Sequence, residues 1–181
     1  MTRILALSGS LRQGSFNTAL ARAAQAQAPE GVTVDVATLH GIPLYDADVE
    51  HAQGIPEAVQ ALRAQILAHD GLLMVTPEYN NGVPGVFKNG IDWLSRTGPG
   101  LFEGLNVALM GASPSGFGTI LSQNHWLPVL RTLKTQFWSE GRMTVSRVNT
   151  LMDADGELSD PATLKLLADF VAGFARSLTK P

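Results

Sequence analysis

The sequence has 181 residues and a formal net charge of −3, from 13 Lys and Arg against 16 Asp and Glu, and it contains no Cys. The length fits one domain over residues 1–181, since a domain commonly takes about 100 to 200 residues. The lack of Cys excludes zinc–cysteine sites, iron–sulfur clusters and thiol nucleophiles, so redox chemistry would need a bound cofactor. Without a basic block, the chain is expected to bind neither nucleic acid nor a membrane surface.

Apolar runs and helix signals alternate along the chain, which predicts a doubly wound α/β fold. Strands are predicted at residues 4–8, 32–36, 72–75 and 106–110, with a fifth somewhere within 137–148. Helices are predicted at residues 17–28, 56–69, 84–95, 120–133 and 160–178. Residues 39–54 read as an irregular surface connection, and Pro128 should bend or break its helix. Five parallel strands with helices on both faces suit the order 2-1-3-4-5. The first apolar run is too short for a membrane span or a signal peptide, so a cytoplasmic location is expected.

Three loops should meet at the carboxyl edge of this sheet, where such folds bind ligands. The first, residues 8–17 (loop L1), contains two Gly, three Ser, Arg12 and Asn17 directly before a helix. Hydroxyls, a guanidinium and a helix N-terminus together predict a phosphate cradle, with close backbone approach at Gly9 and Gly14. The Lys of a P-loop and the second Gly of a dinucleotide fingerprint are missing, which favours a single phosphate. The alternative is a plain strand-to-helix turn.

The compositions of the second and third loops differ in how specifically they predict a ligand. Residues 76–85 (loop L2) combine stiffening prolines, the ring of Tyr79 and free amides beside Gly82 and Gly85. This loop suits a planar heteroaromatic ring, and equally a plain turn in which Glu78 is merely solvated. Residues 111–119 (loop L3) are rich in Gly and Ser, which alone predicts a flexible turn. The coincidence of three such loops on one edge favours a ligand site.

These residues closely resemble the NAD(P)H-dependent FMN reductase family, with the soluble quinone and chromate reductases the most similar. L1, residues 76–80, residues 83–85 and residues 88–96 carry the resemblance, which extends over nearly the whole chain. It implies a flavodoxin-like fold, bound FMN, and NADPH or NADH as co-substrate. The FMN phosphate would be held by Ser10, Arg12, Ser15, the backbone amide of Phe16, and Asn17. The isoalloxazine ring would be lined, largely through main-chain groups, by Pro77, Glu78, Tyr79 and Asn80, and closed on its other side by Ser113.

The resemblance also implies a homodimer or homotetramer that reduces quinones, metal ions or other small acceptors. The pair Asn81 and Gly82 departs from similar sequences, which often carry Ser at the second position, and this leaves the acceptor open. Gly90 replaces a common Ala in the following helix. Hydride chemistry belongs to the flavin, so no catalytic acid, base, nucleophile or metal ligand is expected. A flavodoxin-type electron carrier is the alternative, although carriers tend to be more acidic. A phosphoacceptor signalling domain is disfavoured, because this sequence lacks the acidic cluster that such a domain needs.

The histidines and one tryptophan are expected to be structural. His40, His51 and His69 lie in or beside predicted connections and should be at the surface. His125 falls early in a helix, where a packing role is favoured over a role at the site. Trp93 should pack in a core or a subunit interface rather than against the flavin.

Overall fold

A parallel sheet lies between two helical layers, and the computed structural model describes residues 1–179 of the chain. The sheet has the order β2-β1-β3-β4-β5, with β6 also paired to β4, which confirms the predicted flavodoxin-like α/β fold. In chain order the elements are β1 Thr2–Ser8, α1 Phe16–Ala26, β2 Val32–Ala37, α2 Ala47–Gln53, α3 Glu57–Leu67, β3 Gly71–Val75, α4 Gly85–Ser95, β4 Asn106–Ala112, α5 Ile120–Thr132, β5 Gln136–Phe137, β6 Met143–Val145 and α6 Pro161–Leu178.

The central strands are apolar on both faces because each face packs against helices. Ile4 and Ala6 of β1 belong to the core under α1 and α6, whereas Leu5 and Leu7 belong to the core under α3, α4 and α5. Successive strand residues point to opposite faces, so one strand supplies both cores. Trp93 of α4 is fully buried in the second core, as predicted. The sheet therefore gives the loops at its carboxyl edge a rigid base.

The fifth strand position is divided between two short strands. Phe137 of β5 pairs with Val107, and Met143 of β6 pairs with Met110 farther along β4. Between them Trp138 turns its ring onto Phe170, at 5.1 Å between ring centroids. The prediction of one strand within residues 137–148 therefore located this edge but not its interruption, which follows from packing against α6.

The segment of residues 39–54 is not irregular throughout, because it contains α2. Asp46 begins this helix by accepting a hydrogen bond from the Asp48 amide, at 2.9 Å. No residue of α2 is buried, so the segment carries no apolar periodicity from which the helix could be predicted. Upstream, the Pro43 carbonyl accepts hydrogen bonds from Asn89 Nδ2 (2.8 Å) and Trp93 Nε1 (2.9 Å), which fastens the connection to α4.

Of the bend or break predicted at Pro128, the break is wrong. Helix α5 runs continuously through Pro128, whose missing hydrogen bond falls at an exposed turn beside Asn124. His40 and His51 are exposed as predicted, but the His69 side chain is only 4% exposed and its Nε2 lies 2.8 Å from Asp35 Oδ2. This hydrogen bond from His69, with a smaller contribution from Arg3, holds the pKa of the Asp35 carboxyl below its ordinary value. Every helix within residues 1–179 is too short or too polar to cross a bilayer.

Candidate functional site

A cavity of about 180 Å³ lies where L1, L2 and L3 meet at the carboxyl edge of the sheet. It contains every site residue predicted from the sequence except Asn80, and it adds Ala112 and Pro114, which sequence reasoning missed. The lining residues are Ser10, Arg12, Ser15, Phe16, Asn17, Pro77, Glu78, Tyr79, Ala112, Ser113 and Pro114. Residues up to 104 positions apart in the chain therefore form one site because their strands end side by side.

L1 presents hydrogen-bond donors at the start of α1. Ser15 is the N-cap residue, and its Oγ accepts a hydrogen bond from the Thr18 amide at 3.3 Å. The amides of Phe16 and Asn17 lie in the first helical turn, where no intrahelical acceptor exists. Arg12 is exposed, with its guanidinium 5.1 Å from the centroid of the Phe16 ring, and has no carboxylate partner among residues 1–179. Free amides, an unpaired guanidinium and the positive end of the helix suit one bound anion.

The fold itself uses two groups of L1 that the sequence assigned to the ligand. The Asn17 side chain forms a pair of hydrogen bonds with Ala112, donating to its carbonyl and accepting from its amide, both at 2.9 Å. Asn17 therefore has its main-chain amide and the second Nδ2 proton left to offer a ligand. Gly9 is required by the core, because a Cβ there would overlap the ring of Phe87. Its close backbone approach to a phosphate stays a prediction.

L2 folds back on itself as a tight hairpin at the mouth of the cavity. Tyr79 and Gly82 exchange main-chain hydrogen bonds of 3.3 and 3.0 Å, with Asn80 and Asn81 between them. The φ angles of Asn80 and Asn81 are 50° and 63°, a left-handed pair that Asn tolerates and that two-residue hairpin turns require. Pro77 is buried, and Tyr79 is 54% exposed. The turn therefore explains why Asn80 lies outside the cavity lining.

The carboxylate of Glu78 is not merely solvated, which corrects one of the two interpretations of L2. Its Oε2 accepts hydrogen bonds from the amides of Leu121 and Ser122 in the first turn of α5, at 2.9 and 3.0 Å. Beneath it, Trp126 Nε1 donates to Thr76 Oγ1 at 3.0 Å. Sequence reasoning missed these contacts, because no local pattern links L2 to a helix more than 40 residues away.

L3 forms the opposite wall and is less flexible than its composition predicts. Ser113 Oγ donates to Ser115 Oγ at 2.9 Å and accepts from the Ser115 amide at 3.1 Å. The Ser113 amide in turn donates to the Val145 carbonyl of β6, at 2.9 Å. Ser113 is buried, whereas Phe117 near the end of the loop is 77% exposed. Hydrogen bonds within L3 and to β6 therefore hold this wall in place.

His125 and Gly82 adjoin each other at the outer side of L2. His125 is exposed, so the predicted packing role is wrong. A Cβ on Gly82 would lie 3.9 Å from His125 Nδ1 and 3.6 Å from the Tyr79 carbonyl oxygen, distances that leave room for a side chain. Within the described part of the chain, no three His, Asp or Glu side chains lie close enough together to hold a metal ion.

The donor set of the cavity fits FMN at both of its ends. Groups that bind an anion gather at L1, while residues of L2 and L3 line the rest of the cavity. FMN has these two parts, a phosphate and a planar ring system. The lining residues offer hydrogen-bond donors, main-chain atoms and one carboxylate, that of Glu78, and among them no acid is paired with a base.

Known proteins of similar sequence and structure share this chemistry. A family model described as NADPH-dependent FMN reductase matches residues 2–150. The chain is 41% identical over 165 residues to an NAD(P)H-dependent FMN reductase of Pseudomonas aeruginosa, covering 91% of this chain and 89% of that protein. It is 36% identical over 174 residues to a 2-hydroxy-1,4-benzoquinone reductase of a Burkholderia species, covering 96% and 94%. The solved structure of FerB, a flavoenzyme NAD(P)H:(acceptor) oxidoreductase of Paracoccus denitrificans, matches with a TM-score of 0.83 and 30% identity over 98% of this chain and 97% of that one.

Proposed function

Because the chain belongs to the NADPH-dependent FMN reductase family and is an FMN-dependent NAD(P)H oxidoreductase, we propose that quinones are its main electron acceptors. One observation carries this proposal: L1, L2 and L3 converge on one cavity, whose lining combines the donors of L1 with residues of L2 and L3. The names of the relatives, among them a benzoquinone reductase, support a small, planar acceptor.

Within the cavity, we assign the FMN phosphate to L1. The hydroxyls of Ser10 and Ser15, the guanidinium of Arg12 and the amides of Phe16 and Asn17 would hold it. The assignment rests on the unpaired amides at the start of α1 and on the absence of a carboxylate partner for Arg12 within residues 1–179. Charge-assisted hydrogen bonds of this kind are the stronger class, so L1 would supply much of the cofactor affinity.

The flavin ring is assigned to L2 and L3. It would be lined by Pro77, Glu78 and Tyr79 on one side and by Ser113 on the other, while Asn80 would act only through the turn that shapes L2. When bound, FMN supplies the redox chemistry that connects the nicotinamide, which is the hydride donor, with the electron acceptor. The protein's part is to hold the ring in place through main-chain groups, to exclude water at the buried Pro77 and Ser113, and to leave one face accessible beside the exposed Tyr79.

The same family membership supports a proposal for the setting of the reaction. We propose that the protein works as a homodimer or homotetramer in the cytoplasm, where its NADPH or NADH co-substrate is available. Metal ions and metal oxyanions such as chromate are secondary acceptors in this proposal. Because no side chain is needed as an acid or base, the acceptor range would depend on the shape of the mouth around Gly82.

The test combines a spectrum with an assay. Purified protein mixed with FMN should show flavin absorbance that stays with the protein through gel filtration, and NADPH or NADH should bleach it. Oxidation of the nicotinamide is then followed with benzoquinone, chromate, an azo dye and free FMN, and benzoquinone should give the highest kcat/KM. A flavin that neither nicotinamide bleaches would indicate an electron carrier, and a higher kcat/KM with chromate or the azo dye would overturn the quinone assignment.

A further inference from the structure

The two walls of the cavity are joined behind the site by contacts between L2 and α5. L2 follows β3, whereas L3 follows β4 and leads directly into α5. A contact from L2 to the first turn of α5 therefore fixes the distance between L2 and the end of L3. Glu78 makes this contact while also lining the cavity.

Helix α5 lacks an N-terminal cap of its own. The side chain of Thr119 makes no capping hydrogen bond, and its Oγ1 instead accepts from Gln123 Nε2 at 3.1 Å. No acidic residue lies in the first turn. The first amides of a helix need acceptors, and a carboxylate there also interacts favourably with the helix dipole. Glu78 meets both needs from 43 residues earlier in the chain, with hydrogen bonds of 2.9 and 3.0 Å to Leu121 and Ser122.

A second, fully buried contact lies below the cap. Thr76 Oγ1 donates to the Pro77 carbonyl at 2.9 Å, so its only proton is used there. Ser122 Oγ, 2.9 Å from Thr76 Oγ1, must therefore be the donor in their hydrogen bond, and Trp126 Nε1 donates to the same oxygen. Thr76 is thus hydrogen-bonded on all sides, which anchors the base of L2. Glu78 is the link nearest the cavity.

We propose that Glu78 is a positioning residue for FMN: its carboxylate, by capping α5, sets the separation of L2 and L3 into which the flavin ring fits. The carboxylate acts through the helix and does not touch the reacting atoms. The main-chain groups of L2 would then contact the flavin ring. This inference rests on the assignment of the cavity to FMN. It requires the slot to be already formed in the apoprotein.

The experiment compares the wild type with Glu78→Ala and Glu78→Gln as apoproteins. In Glu78→Ala the Leu121 and Ser122 amides should exchange with deuterium at least about tenfold faster than in the wild type, because their acceptor is gone. The dissociation constants of FMN and of riboflavin should both rise about tenfold, the range expected for loss of a charged cap. Riboflavin, which lacks the phosphate, should be affected equally because the ring side is loosened. Glu78→Gln keeps an acceptor oxygen and should weaken both ligands only about threefold.

Asp160→Ala is the matched control for general destabilisation. Asp160 caps α6 with hydrogen bonds from the Thr163 amide and hydroxyl, at 2.8 and 2.7 Å, and lies outside the cavity lining. This variant should lower the melting temperature and leave both dissociation constants within about twofold of the wild type.

The proposal is overturned if Glu78→Ala binds FMN like the wild type, if it lowers FMN affinity no more than Asp160→Ala does, or if its Leu121 and Ser122 amides stay protected from exchange. If Glu78→Ala does not fold, unchanged flavin affinity in Glu78→Gln overturns it. Failure of the wild type to bind FMN would instead remove the proposed function, while the exchange of the two amides would still report the cap.

Discussion

L1 and L2 face the same cavity, yet their side chains have different tasks. In L1 the guanidinium of Arg12 has no carboxylate partner among residues 1–179, and the amides of Phe16 and Asn17 have no intrahelical acceptor, so these groups remain available to a ligand. In L2 the side chains of Thr76 and Glu78 are bound to α5, and the turn residues serve the hairpin. One loop binds with groups from within its own ten residues, whereas the other is shaped by residues more than 40 positions away. The first kind of site is visible in a sequence and the second is not.

The largest expected effect concerns the buried anchor of L2. Thr76→Val leaves Trp126 Nε1 and Ser122 Oγ without their shared acceptor, and each buried unpaired group costs about 1 to 3 kcal/mol. We expect the free energy of unfolding to fall by about 3 kcal/mol in urea titrations. Thr33→Val is the matched control, because Thr33 Oγ1 is buried and has no hydrogen-bond partner within residues 1–179. Its stability should be unchanged or slightly higher. Equal losses in both variants would show that L2 is not anchored in this way.

Asn17 tests whether L1, like L2, contains a side chain that is used by contacts with a distant segment and not by the ligand. Asn17→Ala removes both hydrogen bonds to the buried Ala112 main chain, so the free energy of unfolding should fall by about 2 kcal/mol. Urea unfolding measures the loss, and FMN titration of the same variant separates stability from binding. Unchanged stability together with a large loss of FMN affinity would mean that the side-chain amide is a phosphate ligand, and the contrast between the two loops would disappear for this residue.

The smallest expected effect lies at the outer side of L2. Gly82 has an ordinary φ and room for a side chain, so Gly82→Ser should change stability by less than about 0.5 kcal/mol. The hydroxyl would lie near His125 Nδ1 and the Tyr79 carbonyl, and we expect the KM for benzoquinone to change about threefold with FMN affinity unaltered. Gly85→Ser places the same hydroxyl in open space at the other end of L2 and should leave KM unchanged. Identical KM values in both variants would remove Gly82 from the acceptor site.

Much of the fold could be predicted because its signals are local. Continuous apolar runs identified β1, β3 and β4, and their alternation with helices predicted the strand order. Helix α2 could not be predicted because none of its residues is buried. The interruption between β5 and β6 could not be predicted because it depends on how Trp138 packs against α6. The buried His69 was likewise missed, since its partner Asp35 lies 34 residues away.

The same division holds within the site. The cluster of donors in L1 indicates an anion from its residue types alone, and all five of its predicted residues line the cavity. The cap formed by Glu78, the pairing of Asn17 with Ala112 and the packing of Gly9 on Phe87 all depend on contacts between distant segments. Residue types show what a loop could bind, but only the tertiary contacts show which groups are still free to do so.

If L1 holds the FMN phosphate through Arg12, the loss of Arg12 should weaken FMN and spare riboflavin, which has no phosphate. Apoprotein of the wild type and of Arg12→Ala is titrated with each flavin by fluorescence. Arg22→Ala is the control for charge, because Arg22 lies on α1 and pairs with Glu157. Arg12→Ala should bind FMN about ten- to hundredfold more weakly, the equivalent of a charge-assisted hydrogen bond, and bind riboflavin as the wild type does. Arg22→Ala should bind both flavins normally. If Arg12→Ala loses equal affinity for FMN and riboflavin, or loses affinity for neither, Arg12 does not hold the phosphate.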